Sequence, residues 1–418
     1  MESSDGMVWQ RNMKVEIRPN LQVKRFASLW RIAIVLFYAI VFIYLLENSI
    51  TLISSAPGQW RIGDWLINYQ GGFVRRGLIG KTLLWLYRLT NINIDFLVVV
   101  LQLALYVIIL LNVGRLSLRS SFSPINAALV FSPAFVLFPV YDFIDGFRKE
   151  IILIALMALL ASCLADDNYR TPKYLPALIG IACVFVAFSH EMLAAFMPYV
   201  ICIFLIRNKK LNADVIKIVL FIVPSILIAF LIMVYAKGNI TVVADICTSL
   251  GQYAPKDCLQ PKIVSGAITS LGQTVVESHA WNVASTPPSV LWSYVISALF
   301  GFAPVILVFF SAQFMEMMKD KSFRFGIICC ALFMFIASLV LLWVFSDLGR
   351  FIYIHVSCLS ILALMMSRVE ISLGILSGRK QILAWMICFV FIISWRLIYY
   401  HSTTSESLLL YNLLKHIF

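Results

Sequence analysis

The sequence predicts an all-α protein, a polytopic bundle of transmembrane helices, and three observations carry that expectation. Of its 418 residues, 61% are hydrophobic and 13% are charged, whereas a soluble domain carries roughly 25% charged residues. Apolar stretches recur along the whole chain, many near the roughly 20 residues that a bilayer-crossing helix needs. These stretches are continuous and do not alternate apolar with polar positions, which excludes a transmembrane β-barrel.

The first 31 residues are polar and include Arg11, Lys14, Arg18, Lys24, Arg25 and Arg31. They lack the short apolar core and small-residue cleavage site of a signal peptide, so residues 1–31 read as a cytoplasmic tail. Apolar segments follow near 32–53, 94–113, 124–141, 151–165, 174–189, 192–206, 215–235, 290–312, 325–345, 351–367 and 381–400. That makes about eleven spans in a transmembrane domain of residues 32–400. Two sizeable polar pieces interrupt it, at 54–93 and 236–289, and residues 401–418 form a tail. With the N-terminus inside, the inner segments hold 20 of the 33 Lys and Arg residues. The positive-inside rule then places loops 54–93 and 236–289 and the C-terminal tail on the outer face.

The net charge of +12 does not point to nucleic acid, because no basic run or nucleic-acid motif accompanies it. Spread through the loops, these residues serve as a topology signal and meet anionic lipid headgroups. The chain has no Walker motif, so it drives no ATP-dependent transport by itself. Seven of the nine cysteines (Cys163, Cys183, Cys202, Cys329, Cys330, Cys358 and Cys388) fall inside apolar spans, where a thiol packs as a small hydrophobe. Cys247 and Cys258 share the 236–289 loop and are expected to form a disulfide in an oxidising compartment. Their spacing is too wide for a CxxC motif and no His or Cys cluster accompanies them, so no metal site is expected there.

Four polar clusters stand at the ends of spans, where ionisable groups near membrane depth signal function. The first runs from Arg61-Ile62-Gly63-Asp64-Trp65 to Arg75-Arg76-Gly77. The second is Asp142-Phe143-Ile144-Asp145-Gly146-Phe147-Arg148-Lys149-Glu150. The third is Ser189-His190-Glu191, and the fourth is Ser346-Asp347-Leu348-Gly349-Arg350. In an N-in topology all four open to the outer face. Arginine forks grip phosphate bidentately and keep their charge, and a carboxylate can take the proton of an attacking hydroxyl. Together they suit glycosyl transfer from a lipid-phosphate or lipid-pyrophosphate donor. Asp64 is the expected base, with Asp142, Asp145 and Glu191 as alternatives and His190 as a helper. Arg75 and Arg76 are expected to hold the donor phosphate, with Arg148 and Arg350 as further candidates. Trp60, Trp65 and Tyr69 offer rings for stacking on sugars or for anchoring at the interface.

This layout resembles the integral-membrane glycosyltransferases of the GT-C fold, including O-antigen and capsule polymerases. Asp64 lies early in the first outer loop, where that family carries an essential acid. The stretch around Gly80–Leu89 looks like the interfacial helix common there, and Asp142 or Asp145 matches a second acid in the next outer turn. The likeness covers about residues 30–165. It implies a bacterial inner-membrane enzyme acting on polyprenyl-linked sugar donors and glycan acceptors in surface-polysaccharide assembly, alongside membrane lipids and other assembly proteins. No organic cofactor is implied. The first loop has no Asp-x-Asp pair, so dependence on a divalent metal stays open. A lipid-linked oligosaccharide flippase and a membrane acyltransferase are the alternatives.

Overall fold

In the computed structural model, the described residues are 21–54, 60–166, 168–236, 238–260, 264–285, 288–344, 348–367 and 378–397. The expected tail 401–418, most of the tail 1–31 and Asp347 lie outside them. All regular elements among the described residues are helical. The chain begins with α1 (Leu21–Ser54), short α2 (Gly63–Leu66), α3 (Gly77–Thr90) and α4 (Ile94–Arg119), then short α5 (Pro124–Val130) and α6 (Phe138–Tyr141). It continues through α7 (Glu150–Leu164), α8 (Leu175–Ser189), α9 (Pro198–Asn208), α10 (Ala213–Tyr235), α11 (Ile240–Leu250) and α12 (Val275–Ser285). The last elements are α13 (Pro288–Phe309), α14 (Ala312–Met317), α15 (Lys321–Val344), α16 (Leu348–Met366) and α17 (Gly378–Ser394).

Seven of these helical stretches are long and apolar enough to cross a membrane: Ser28–Thr51, Ile94–Arg119, Glu191–Asn208, Ala213–Tyr235, Leu291–Phe309, Lys321–Trp343 and Leu348–Met366. Two shorter apolar helices, α7 and α8, accompany them. The expectation of one continuous span over 124–141 needs correcting, because residues 131–137 form turns between α5 and α6. Pro133 and Pro139 explain the break: proline has no N–H to donate and disfavours helical geometry at the residue before it.

Polar side chains set several helix starts. Asn93 caps α4 by accepting from the Asp95 and Phe96 amides at 2.8 and 3.4 Å, and Asn212 caps α10 by accepting from Val215 N at 3.1 Å. Such caps satisfy amides that the first helical turn leaves without partners. The core lies around α7, α9 and α16. Ile151, Leu153, Ile203, Leu205, Ile354 and Ile361 are fully buried there. By contrast, α15 turns most of its apolar surface outward: 17% of its membrane window is buried, against 78% in α16. Beyond Arg324 that outward face carries no charge, and Phe335, Ile336 and Val340 suit lipid contact.

Two features place the candidate site. The α2–α3 loop rests on α11 through Asn68 Nδ2, which donates to Ser249 Oγ at 3.1 Å, and α3 meets the turn after α11 through the Tyr87 and Tyr253 rings, 5.3 Å apart. Gly71 permits that approach, since a Cβ there would meet the Val242 carbonyl oxygen at 2.8 Å. Cys247 and Cys258 are joined by a disulfide with Cα atoms 5.6 Å apart, and Pro255 within that closed loop sits beside Gly63 of α2. The two large loops therefore cover the same end of the bundle.

Candidate active site

Four chain reversals meet beneath those loops: the α2–α3 turn, the approach to α7, the α8 end and the start of α16. Local sequence explains each. Gly77 and Gly80 let α3 fold tightly against α2, since a Cβ would meet the Tyr69 ring at 2.2 Å or the Ile67 carbonyl oxygen at 2.0 Å. Arg76, which caps α3, takes a left-handed conformation with φ 67°, unusual for a residue with a side chain. Gly146 lets the Asp145–Phe147 turn lie against Pro139, which a Cβ would approach to 2.6 Å. At His190 the backbone becomes extended (φ −162°, ψ 101°), ending α8 before the tight helical turn Glu191–Phe196.

The enclosed charge is concentrated here. Arg61, Arg76, Arg148, Lys149 and Arg350 are buried, against the carboxylates Asp64, Glu150 and Glu191. Half-buried Arg75, Asp142 and Asp145 lie around them. Arg76 Nε donates to Glu191 Oε1 at 3.3 Å, and Arg350 Nε pairs with Glu150 Oε1. Arg350 Nη2 contacts His190 Nε2 at 2.7 Å. A guanidinium can only donate, so His190 Nε2 accepts and its ring proton sits on Nδ1, 3.9 Å from Glu191 Oε2. Lys149 Nζ donates to the Arg76 carbonyl at 2.8 Å, tying the left-handed turn to the start of α7.

Asp64 differs from the other acids. It is fully buried, yet neither carboxylate oxygen has a hydrogen-bond partner among the described residues. Burial pushes its pKa up, but the charges of Lys149, Arg148 and Arg76 pull it down further, leaving it below the ordinary carboxylate range. It is thus a persistent anion held by a field of cations, with both oxygens free to accept. Burying a charge without hydrogen bonds is costly, so such an arrangement calls for a polar occupant. One further oxygen each on Glu150 and Glu191 is likewise buried without a partner.

The structure brings Asp64, Arg76, Arg148, His190, Glu191 and Arg350 into one cluster, drawn from positions nearly 290 residues apart. Arg75 lies at its edge, within electrostatic reach of Arg76 and Glu191. Asp142 has a structural task instead: its Oδ1 accepts from the Asp145 amide at 2.9 Å, holding the turn. Asp145 pairs with Arg148 at 3.7 Å. Trp65 is fully buried and its indole donates to the Phe147 carbonyl at 2.9 Å, so it is not placed to stack on a sugar. Tyr69 stacks on Phe73 at 5.5 Å, and Trp60 lies 5.2 Å from the Arg148 guanidinium.

Sequence reasoning singled out neither Lys149 nor the structural part played by Arg61. The Arg61 guanidinium lies 3.8 and 3.9 Å from the Phe143 and Phe147 ring centres and donates to Ser49 at 3.0 Å. It thus clips α1 to the turn before α7, and Gln102 donates to the Arg61 and Phe147 carbonyls at 3.3 and 3.0 Å. The available signal was the run Arg148-Lys149-Glu150, whose middle residue a helix start turns inward. Among the described residues, no three His, Cys, Asp or Glu side chains are grouped to hold a metal ion.

No protein-family model, curated protein or solved structure matches this chain. Fold and site define it by themselves: a multi-pass helical membrane protein with a buried, mostly cationic cluster at one end of the bundle.

Proposed function

We propose that the protein is a membrane glycosyltransferase or polymerase of GT-C layout, with about eleven spans and its N-terminus inside. It acts on polyprenyl phosphate- or pyrophosphate-linked sugars at the outer face of a bacterial inner membrane, in O-antigen or capsule assembly. The observation that carries this reading is Asp64, a buried carboxylate with two unpartnered oxygens beside several cations. The acceptor hydroxyl oxygen attacks the anomeric carbon while the bond to the donor phosphate breaks. The proton passes to Asp64, and Arg75, Arg76 and Lys149 take up the charge developing on the leaving phosphate. An entering phosphate would offset the cation field, which raises the proton affinity of Asp64 when a base is needed. Two observations support the orientation: the Cys247–Cys258 disulfide fits an oxidising compartment, and the opposite end carries Arg119, Arg207, Lys209, Lys210 and Lys217, as an inner face does.

Asp64 is enclosed, so substrate reaches it when the covering loops part. Of the alternatives, the flippase draws support from the broken segment 131–137, since interrupted helices line transport paths. The acyltransferase needs His190 as a base, but its Nε2 accepts from Arg350. The test is product formation from a lipid-linked donor in proteoliposomes. Asp64→Asn is expected to lower the rate by about 10²–10⁴ at normal protein level. Arg76→Lys, which loses the fork, should be impaired as well. Full activity in both variants, or donor translocation without transfer, would overturn the proposal.

A further inference from the structure

At the end of the bundle remote from Asp64, a cavity of about 530 Å³ opens between the start of α1 and the end of α4. Its apolar lining comes from Trp30, Leu118 and Phe122, its polar lining chiefly from Arg31, Arg119 and Ser121. We propose that this cavity binds the phosphodiester headgroup of an acidic membrane lipid between Arg31 and Arg119.

The two arginines reach it from different helices, so their convergence is a product of the fold. No carboxylate lines the cavity, which leaves its field positive. Arg119 is only loosely engaged elsewhere: its guanidinium lies 3.4 Å from Asp166 Oδ2, in a pair about 34% and 43% exposed, and 3.4 Å from the Ser162 carbonyl. Arg31 is exposed and makes no hydrogen bond or ion pair among the described residues. Both forks therefore retain donors for a phosphate, whose oxygens they match bidentately. Depth comes from the aromatic residues. Trp30 and Phe122 lie 5.5 Å apart and Phe122 stacks on Trp385 at 4.4 Å, the ring grouping that marks the headgroup level of a bilayer. The volume falls within the roughly 300–1,000 Å³ of small-molecule sites. A phosphate at headgroup depth, beside an apolar wall that accepts the first acyl carbons, completes such a site. It owes nothing to the chemistry proposed at Asp64.

The test is native mass spectrometry of the full chain, purified from vesicles of phosphatidylcholine with or without phosphatidylglycerol. We expect one phosphatidylglycerol to be retained in preference to phosphatidylcholine. The double variant Arg31→Gln/Arg119→Gln should lower that occupancy about tenfold, equivalent to roughly 1.4 kcal/mol. Ser121→Trp, which fills the cavity and keeps both arginines, should lower it as well. Thermal melting of each variant establishes that it is folded. Equal retention of the two lipids, or unchanged phosphatidylglycerol retention in both variants, would overturn the site. Displacement of the lipid by inorganic phosphate alone would assign the cavity to a soluble anion and overturn the lipid.

Discussion

At one end of the bundle Lys217 meets Asp214 at 3.2 Å and Lys319 meets Glu316, each pair three residues apart and more than half exposed. At the other end Arg76 reaches Glu191 across 115 residues and Arg350 reaches Glu150 across 200, and none of those four side chains is more than 6% exposed. The first kind of pair costs little to form and contributes little. The second takes ions out of water, at a cost that mutual attraction only partly repays. A chain with 13% charged residues that encloses five cations and four carboxylates at one end is using them for more than solubility. Exposed charge can set orientation in the membrane, whereas enclosed charge from four chain reversals can hold a reacting group in place.

The sharpest way to break this contrast is to remove one member of an enclosed pair. Arg350→Leu leaves Glu150 buried without its partner and frees His190 Nε2 from its donor. Loss of one partner of a buried pair costs about 3–5 kcal/mol, so the variant should melt far below the parent and accumulate poorly in membranes. A variant that melts like the parent would show that water already reaches the pair. Replacing Glu150 in the same chain, as Arg350→Leu/Glu150→Leu, should recover much of the loss.

A pH profile sharpens the contrast next. Burial lowers the Lys149 pKa to about 8, and the attraction of Asp64 offsets only part of that fall. Below pH 8 the amine is charged in both folded and unfolded chains, so stability does not vary with pH through this group. Above pH 8 the folded chain sheds the proton first. Unfolded chains then bind more protons, and this group's contribution to stability rises until the unfolded lysine also titrates. The charge that would hold a phosphate is lost over the same range. Transfer activity should therefore fall about tenfold per pH unit above 8 while this contribution to stability rises. Lys149→Arg should move the alkaline limb upward, and an unmoved limb would assign it to another group.

Much of the enclosed end was legible in the sequence, because a charge beside an apolar run is conspicuous in a chain this hydrophobic. Asp64, Arg76, His190, Glu191 and Arg350 stood out for that reason, and so did Cys247 and Cys258 in their shared loop. Two kinds of information were hidden. The inward turn of Lys149 depends on where α7 starts, a matter of one residue in a run of three charges. The roles of Asp142 and Trp65 depend on tertiary partners: a carboxylate that caps its own turn and an indole that meets the Phe147 carbonyl look, in sequence, like any acid or ring. The break at 131–137 was written in Pro133 and Pro139, but the apolar run around them outweighed the prolines. Helical spacing alone could not bring residues 64 and 350 together.

The smallest expected effect lies at the exposed end and bears most directly on what the contrast means. Lys217 and Asp214 stand three residues apart at the start of α10, with side chains 59% and 70% exposed. Water solvates both ions with or without the pair, and salt screens their attraction. Lys217→Ala should change stability by less than about 0.5 kcal/mol, and a double-mutant cycle with Asp214→Ala should give a coupling of similar size that fades as salt is added. The same cycle on Arg350 and Glu150 should give a coupling several times larger that salt barely alters, since ions do not reach a buried pair. Melting temperatures of the four variants in each cycle, at low and high ionic strength, provide both numbers. If the exposed pair couples as strongly as the buried one, burial is not what distinguishes the two ends. The case for a site at Asp64 would then rest on its unpartnered oxygens alone.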